Sequence, residues 1–162
     1  MKQFTITKAA LRVFSLQLQA KGDGFNLKQL RTLDKIVTIM DAIIGEYDKK
    51  IDDRIEQAKL DLVKDPKEVE SINRQLNEDL DKITNFEGRE SVDVNFEDEQ
   101  YNFAKEIWDN MGGYKGNNVS RKLILEADDA INTVVDPAKK NDSEETKEDK
   151  NSQGTPGEGA AN

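Results

Sequence analysis

The stretch NLKQLRTLDKIVTIMDAIIGEYDKKIDDRIEQAKLDLV, residues 26–63, decides the fold. Its apolar residues recur at steps of three and four, the spacing that places side chains on one face of an α-helix. Asn26 is suited to cap the start, and no proline interrupts the pattern before Pro66. We therefore predict a helix that ends near Val63 and is roughly 54 Å long at 1.5 Å per residue. The residues of the stripe are Leu27, Leu30, Leu33, Val37, Met40, Ile44, Tyr47 and Ile51.

The second half of this helix is predicted to pair with the segment that follows. Past Ile51 the stripe shifts around the helix, because Arg54 and Asp61 fall on its seam. Asp65 and Pro66 are suited to start another helix, and the short connection favours an antiparallel hairpin over about 27–84. The polar seam favours a hairpin that closes on itself, with self-association through the hairpin as the alternative. The second helix has a narrow apolar stripe: Val69, Ile72, Leu76, Leu80 and Ile83.

Two short segments outside the hairpin have the alternating pattern of half-buried strands. They are residues 2–6 and 91–96, and they are candidates to pair as a two-stranded β-sheet. Thr7 is suited to cap a helix directly after the first segment. The apolar stripe of that helix is Ala10, Leu11, Phe14 and Leu18.

The remaining pattern predicts two helices at about 97–111 and 119–134 and then a change of character. Residues 136–162 are rich in charge and contain no aromatic residue, which is typical of a disordered acidic tail. We predict a mainly α fold: a single helical domain over 1–135, with a long antiparallel hairpin, a small helical core and this tail.

The stretch FEDEQYNFAKEIWDNMGGY, residues 96–114, is rich in both aromatic and acidic residues. On a helical wheel its apolar residues fall within an arc of about 160°, which predicts an amphipathic helix that packs on the core. Tyr101 and Trp108 lie at one edge of this arc. Together with Tyr114 and Lys115 in the loop beyond, they are the candidate partner-binding residues.

The composition removes most catalytic chemistry. The chain has neither histidine nor cysteine, so the usual hydrolase triads and most zinc sites cannot be built. Adjacent acids such as Asp52 and Asp53 point about 100° apart on a helix and do not converge on one ion. The segment from Asp93 resembles the start of a calcium loop but has Asp98 and Ala104 where glycine and glutamate are required. We expect no enzyme activity, no cofactor and no metal site.

Charge and hydropathy indicate the compartment and the kind of partner. The net charge of −9 over 162 residues makes nucleic acid an unlikely partner, because such binding depends on basic groups that neutralise phosphates. No apolar run approaches the roughly 20 residues that span a bilayer. The first residues lack the apolar stretch of a signal peptide. We expect a cytoplasmic protein with a protein partner and no membrane contact.

The segments MKQFTITKAALRVF (1–14), FNLKQLRTLDKIVTIMDAII (25–44) and VDVNF (92–96) share a layout with a known group of proteins. Over roughly residues 1–110 the chain resembles small acidic proteins of unknown function encoded by tailed bacteriophages. The resemblance implies a non-enzymatic part in virion assembly or in the phage's dealings with its host, in the host cytoplasm or associated with the virion. It transfers no functional residues.

Two functional hypotheses follow. In the first, the chain is an interaction protein whose hairpin binds a protein partner, as a phage assembly factor or minor virion component. In the second, it is an acidic inhibitor of a host nucleic-acid-binding or defence protein, with acids and aromatics of residues 91–113 imitating phosphates and bases. Steep weakening of binding by salt would favour the second.

Overall fold

The computed structural model describes residues 1–21, 24–111 and 118–139. Most of these residues are helical, and the mainly α fold is confirmed. Two 3₁₀ turns, Pro66–Glu68 and Glu87–Arg89, flank the second hairpin helix. The main elements are β1 (Lys2–Thr7), α1 (Lys8–Ala20), α2 (Leu27–Lys64), α3 (Val69–Phe86), β2 (Ser91–Phe96), α4 (Asp98–Asp109) and α5 (Asn118–Asn132).

Side-chain caps fix where the first two helices begin, as the sequence predicts. The Thr7 hydroxyl accepts a hydrogen bond from the amide of Ala10 at 3.3 Å. Asn26 accepts from the amide of Gln29 at 3.0 Å, and the Gln29 side chain accepts from the amide of Asn26 at 2.9 Å. These bonds satisfy amides that a helix start otherwise leaves unpaired. The predicted start at Asp65 and Pro66 has the right position, with Pro66 in the first turn, but the Asp65 side chain makes no capping bond and the segment opens as a 3₁₀ turn before α3.

The two predicted strands pair, and the small sheet is confirmed. β1 and β2 are antiparallel, with Phe4 opposite Val94 and Gln3 opposite Asn95. Alternation sends one face of the sheet into the core. On the outer side of β1, Gln3 exchanges two backbone hydrogen bonds with Val135, at 2.9 and 2.8 Å.

One buried apolar cluster joins the sheet to α1, α2, α4 and α5. The predicted stripe of α2 holds from Leu33 to Ile51, but two details are wrong. Ile36 is fully buried while Val37 is only half-buried, and Leu27 and Leu30 are exposed. A wheel fixes which side chains share a face, whereas the neighbouring helices decide how wide the buried face is. The members from α1 and α2 are Ala9, Ala10, Leu11, Phe14, Leu18, Leu33, Ile36, Met40, Ile44, Tyr47 and Ile51.

The long hairpin of α2 and α3 is confirmed, and its packing weakens along its length. Beyond Ile51 the only fully buried residue of α2 is Ala58, which lies outside the main cluster. No residue of α3 is fully buried. Ile72, Leu76 and Leu80 are half-buried on the side of α3 that faces α2. The narrow stripe therefore finds a single partner, as its sequence indicates.

The helices near the end of the described chain are close to their predicted bounds. α4 ends at Asp109 and α5 at Asn132, each two residues earlier than predicted. Past Asn132 the chain turns, and Val135 reaches the edge of β1. Of the predicted acidic tail, residues 140–162 lie outside the described residues.

Candidate functional site

Trp108, a candidate partner-binding residue, lies in the core. Its side chain belongs to the buried cluster with 5% of the residue exposed. The indole N–H donates a hydrogen bond to Asp128 Oδ1 at 2.9 Å, and the ring meets Phe14 edge to face with the centroids 5.1 Å apart. Tryptophan combines a large apolar ring with one donor that needs a partner when buried. Trp108 therefore joins α4 to α1 and α5.

Tyr101 lies half-buried between α4 and the end of α5. Its hydroxyl donates to the carbonyl oxygen of Ile131 at 2.8 Å. Ile131 is in the last turn of α5, where carbonyls have no partner within the helix, so the bond acts as a cap. Burial raises the pKa of Tyr101, while Lys105 lowers it and Asp109 raises it. Only the exposed part of this ring is available to a partner.

The other two candidate residues, Tyr114 and Lys115, lie outside the described residues. The prediction that all four bind a partner stays a prediction. The structure brings Tyr101 and Trp108 to one side of α4, where both contact α5.

The acids of α4 lie on its exposed side, whereas Trp108 points into the core. Asp98, Glu99, Glu106 and Asp109 are exposed. The protonated N-terminus of Met1 lies 2.9 Å from Asp98, and its hydrogen bond and charge lower the pKa of that carboxyl. An inhibitor that imitates nucleic acid needs acids and exposed rings on one surface. Here an imitation would depend on the acids, because Trp108 and Phe96 are buried.

A groove of about 510 Å³ is lined by residues of α1, α2, α3 and α5. Its apolar lining includes Val13, Ile55, Leu80 and Leu123. The lining includes two charged residues, Asp81 and Arg12, and Arg12 contacts Asp48 at 2.5 Å and Asp52 at 3.5 Å. Both carboxylates compensate the guanidinium, so it is not available as a free anion site.

Tyr47 forms part of the floor of this groove. Burial raises its pKa, whereas a hydrogen bond with Thr84 and the charge of Arg12 lower it. The hydroxyl therefore stays protonated near neutral pH. It packs against Gly88: a Cβ added at Gly88 would lie 2.8 Å from the Tyr47 oxygen and 3.0 Å from Ala9 Cβ. This close fit is structural, because it holds the Tyr47 ring against the turn that contains Gly88.

The seam of the hairpin carries a polar network where the sequence places Arg54. Arg54 Nε donates to Asp79 at 2.8 Å, and the Gln75 amide donates to the second oxygen of Asp79 at 2.9 Å. These bonds lower the pKa of Asp79, the one from Arg54 most. Asp61, the other seam residue, accepts from Gln57 on its own helix at 3.0 Å.

The closed end of the hairpin exposes three apolar side chains, and one of them, Val69, is a predicted member of the α3 stripe that proves exposed. Leu60 is 56%, Val63 80% and Val69 43% exposed. We call these three residues the distal patch. Leu60 and Val63 are one turn apart and therefore neighbours on α2. The sequence does indicate this exposure for Leu60 and Val63, because both lie off the stripe of α2 that faces α3.

Metal-binding clusters and membrane-spanning helices are both absent from the described part of the chain. In residues 1–21, 24–111 and 118–139, acidic side chains nowhere gather in a group of three that could hold a metal ion. Over the same ranges, no helix combines the length and apolar character needed to cross a membrane. Comparisons with protein-family models, curated proteins and solved structures give no match.

Proposed function

We propose that this chain is a non-enzymatic interaction protein whose hairpin binds a protein partner. The observation that carries the proposal is the distal patch. It exposes Leu60, Val63 and Val69 at the end of a hairpin that has already left the core. Apolar residues that do not serve the core are favourable contacts for a partner, since burying a leucine or valine contributes about 1.5–3 kcal/mol.

The polar seam supports the same function. Arg54, Gln75 and Asp79 hold α2 and α3 together where little apolar surface is buried. The hairpin thus keeps a defined geometry without using the distal patch for its own packing. A preorganised surface loses less conformational entropy on binding than one that must first become ordered.

The finer role that we propose is that of a phage assembly factor or minor virion component. It is supported by the resemblance of residues 1–110 to small phage proteins and by the absence of histidine and cysteine from the sequence. A protein of that kind acts by contact and needs no reactive side chain. A cytoplasmic location in the host, with passage into the virion, accords with this role.

Affinity capture with matched variants tests the proposal. We expect the wild-type chain to retain a protein partner from cells that express both, and Leu60→Asp to lose it. Leu125→Asp is the control, because Leu125 on α5 is 59% exposed, close to the 56% of Leu60. Retention by Leu60→Asp, or equal loss in both variants, would contradict a role for the hairpin.

Self-association through the hairpin is a different outcome of the same design. Sedimentation of the wild-type chain and of Leu60→Asp separates the two. A dimer that Leu60→Asp converts to a monomer would show that the distal patch binds a second copy. A monomer that captures no partner would overturn the proposed function.

A further inference from the structure

The outer edge of β2 has unpaired backbone groups that can be identified by residue. Gln3 exchanges both of its backbone hydrogen bonds with Val135, so its N–H and C=O point away from β2. Successive residues of a strand point to alternate sides. Lys2, Phe4 and Ile6 therefore form the bonds to β2, opposite Phe96, Val94 and Val92. The bond from Lys8 N–H to the carbonyl of Glu90 continues the same alternation.

The groups on the far side of β2 consequently belong to Ser91, Asp93 and Asn95. All three residues are exposed. Within the described part of the chain, the sheet has the order β1–β2, and these backbone groups bond to no third segment. The edge of β1, in contrast, is partly covered by Val135. An uncovered edge of this kind is a template for an added strand.

Helix α2 runs beside this edge and supplies half-buried apolar residues. Lys28 contacts Glu99 at 3.8 Å just past β2, and Lys50 pairs with Glu87 just before it. These two ion pairs set α2 antiparallel to β2. On the wheel, Ile39 and Ile43 lie on the same side as both lysines, within an arc of about 60°. Both isoleucines are half-buried.

The charge of the edge is acidic. Asp93 is at its centre, where it accepts a hydrogen bond from the Thr5 hydroxyl at 2.6 Å. Glu97 follows the strand and is exposed, whereas Glu90, just before the strand, is already paired with Lys8 at 2.7 Å. Opposite charges on facing residues of neighbouring strands stabilise the pair, and like charges destabilise it. A second copy that placed Asp93 against Asp93 would be disfavoured, and the net charge of −9 adds to that repulsion.

We propose that the outer edge of β2 accepts an extended segment of a protein partner in which basic and apolar residues alternate. The basic residues lie on the exposed face beside Asp93, and the apolar residues point toward Ile39 and Ile43 on α2. Main-chain hydrogen bonds to Ser91, Asp93 and Asn95 supply affinity, and the alternate side chains supply specificity. The inference rests on the proposed function, because it names the chemistry of a partner, but it uses a surface separate from the distal patch.

The test is a titration of the full chain with a capped heptapeptide of alternating lysine and valine. We expect ¹⁵N amide shifts concentrated at Ser91, Asp93 and Asn95. Asn95→Pro removes one outward N–H and leaves the ladder to β1 intact, since proline is tolerated on an edge strand. We expect it to weaken binding about tenfold. Asn95→Ala keeps the N–H and should bind like the wild type.

A charge reversal provides a second variant that does not depend on how proline is accommodated. Asp93→Lys should weaken binding of the lysine peptide and strengthen binding of a peptide of alternating glutamate and valine. Equal binding of both peptides to the wild type, equal binding to Asn95→Pro and Asn95→Ala, or no binding at all would overturn the proposal. So would a wild-type dimer that Asn95→Pro disperses, because the edge would then pair with a second copy.

The outcome is separable from that of the hairpin experiment. Leu60→Asp should bind the lysine peptide as the wild type does, because Leu60 is far along α2 from Lys50. If capture by the distal patch fails while the peptide still binds at β2, only the hairpin's role is lost. If the peptide fails while capture succeeds, only the edge proposal is lost.

Discussion

The packed body of the molecule and the distal half of its hairpin follow different physical rules. In the body, α2 contributes six residues to the main cluster, from Leu33 to Ile51, and is held by the sheet and by three other helices. In the distal half, α2 and α3 bury Ala58 and otherwise depend on half-buried contacts and the Arg54–Asp79 pair. One continuous helix therefore has one part that serves folding and another whose side chains remain available.

The largest expected contrast is in the stability lost when one apolar side chain is replaced by alanine in each of these two regions. Phe14→Ala in the body should reduce the free energy of unfolding by about 3–5 kcal/mol, because Phe14 is fully buried against Phe4 and Trp108. Leu76→Ala in the hairpin should cost about 1 kcal/mol, since its side chain is half-buried. Urea unfolding followed by circular dichroism measures both. Similar losses in the two variants would remove the distinction.

A pair of glycines gives effects of opposite sign. Gly88→Ala should destabilise by about 1–3 kcal/mol, because the new Cβ would meet the Tyr47 oxygen at 2.8 Å. Adding Tyr47→Phe to Gly88→Ala removes that oxygen, so the double variant should recover part of the lost stability. Gly45→Ala, on an open side of α2, should stabilise by about 0.5–1 kcal/mol. Thermal melts of the three variants check this, and a harmless Gly88→Ala would show that the hairpin base is loosely packed.

The smallest effect concerns the polar seam and its dependence on pH. The hydrogen bond from Arg54 lowers the pKa of Asp79 in the folded state. The stabilisation is therefore present above the ordinary aspartate pKa and is lost as the pH falls through the lowered value. An NMR titration should find the pKa of the Asp79 carboxyl below its ordinary range. The substitution Arg54→Met should raise this pKa. A pKa that does not respond to Arg54→Met would remove the ion pair from the account of the seam.

Much of this contrast could be predicted from the sequence. The stutter past Ile51 and the narrow stripe of α3 both indicate a hairpin with one-sided contacts. The caps at Thr7 and Asn26 follow from local chemistry, because capping bonds join residues three apart. The strand pairing follows from two alternating segments, each with one apolar face.

Other features depend on contacts that no local pattern contains. Trp108 lies at the edge of its stripe in sequence, yet Asp128, 20 residues further on, satisfies its N–H and permits burial. Val135 reaches Gln3 only because α5 ends two residues earlier than its apolar pattern does. The bridge to Val135 shows which backbone groups of β1 face away from β2. It thereby identifies the groups on the open edge of β2. Such features require the packing of distant elements.

Amide hydrogen exchange on the free chain tests the central claim most directly. If α2 changes from a core helix to one side of an isolated hairpin, amides near Met40 and Ile44 should be the most protected. Amides over residues 56–76 should exchange at least about tenfold faster, because fewer buried contacts oppose their local opening. Equal protection along the whole of α2 would contradict the account, since the distal half would then be as firmly held as the body.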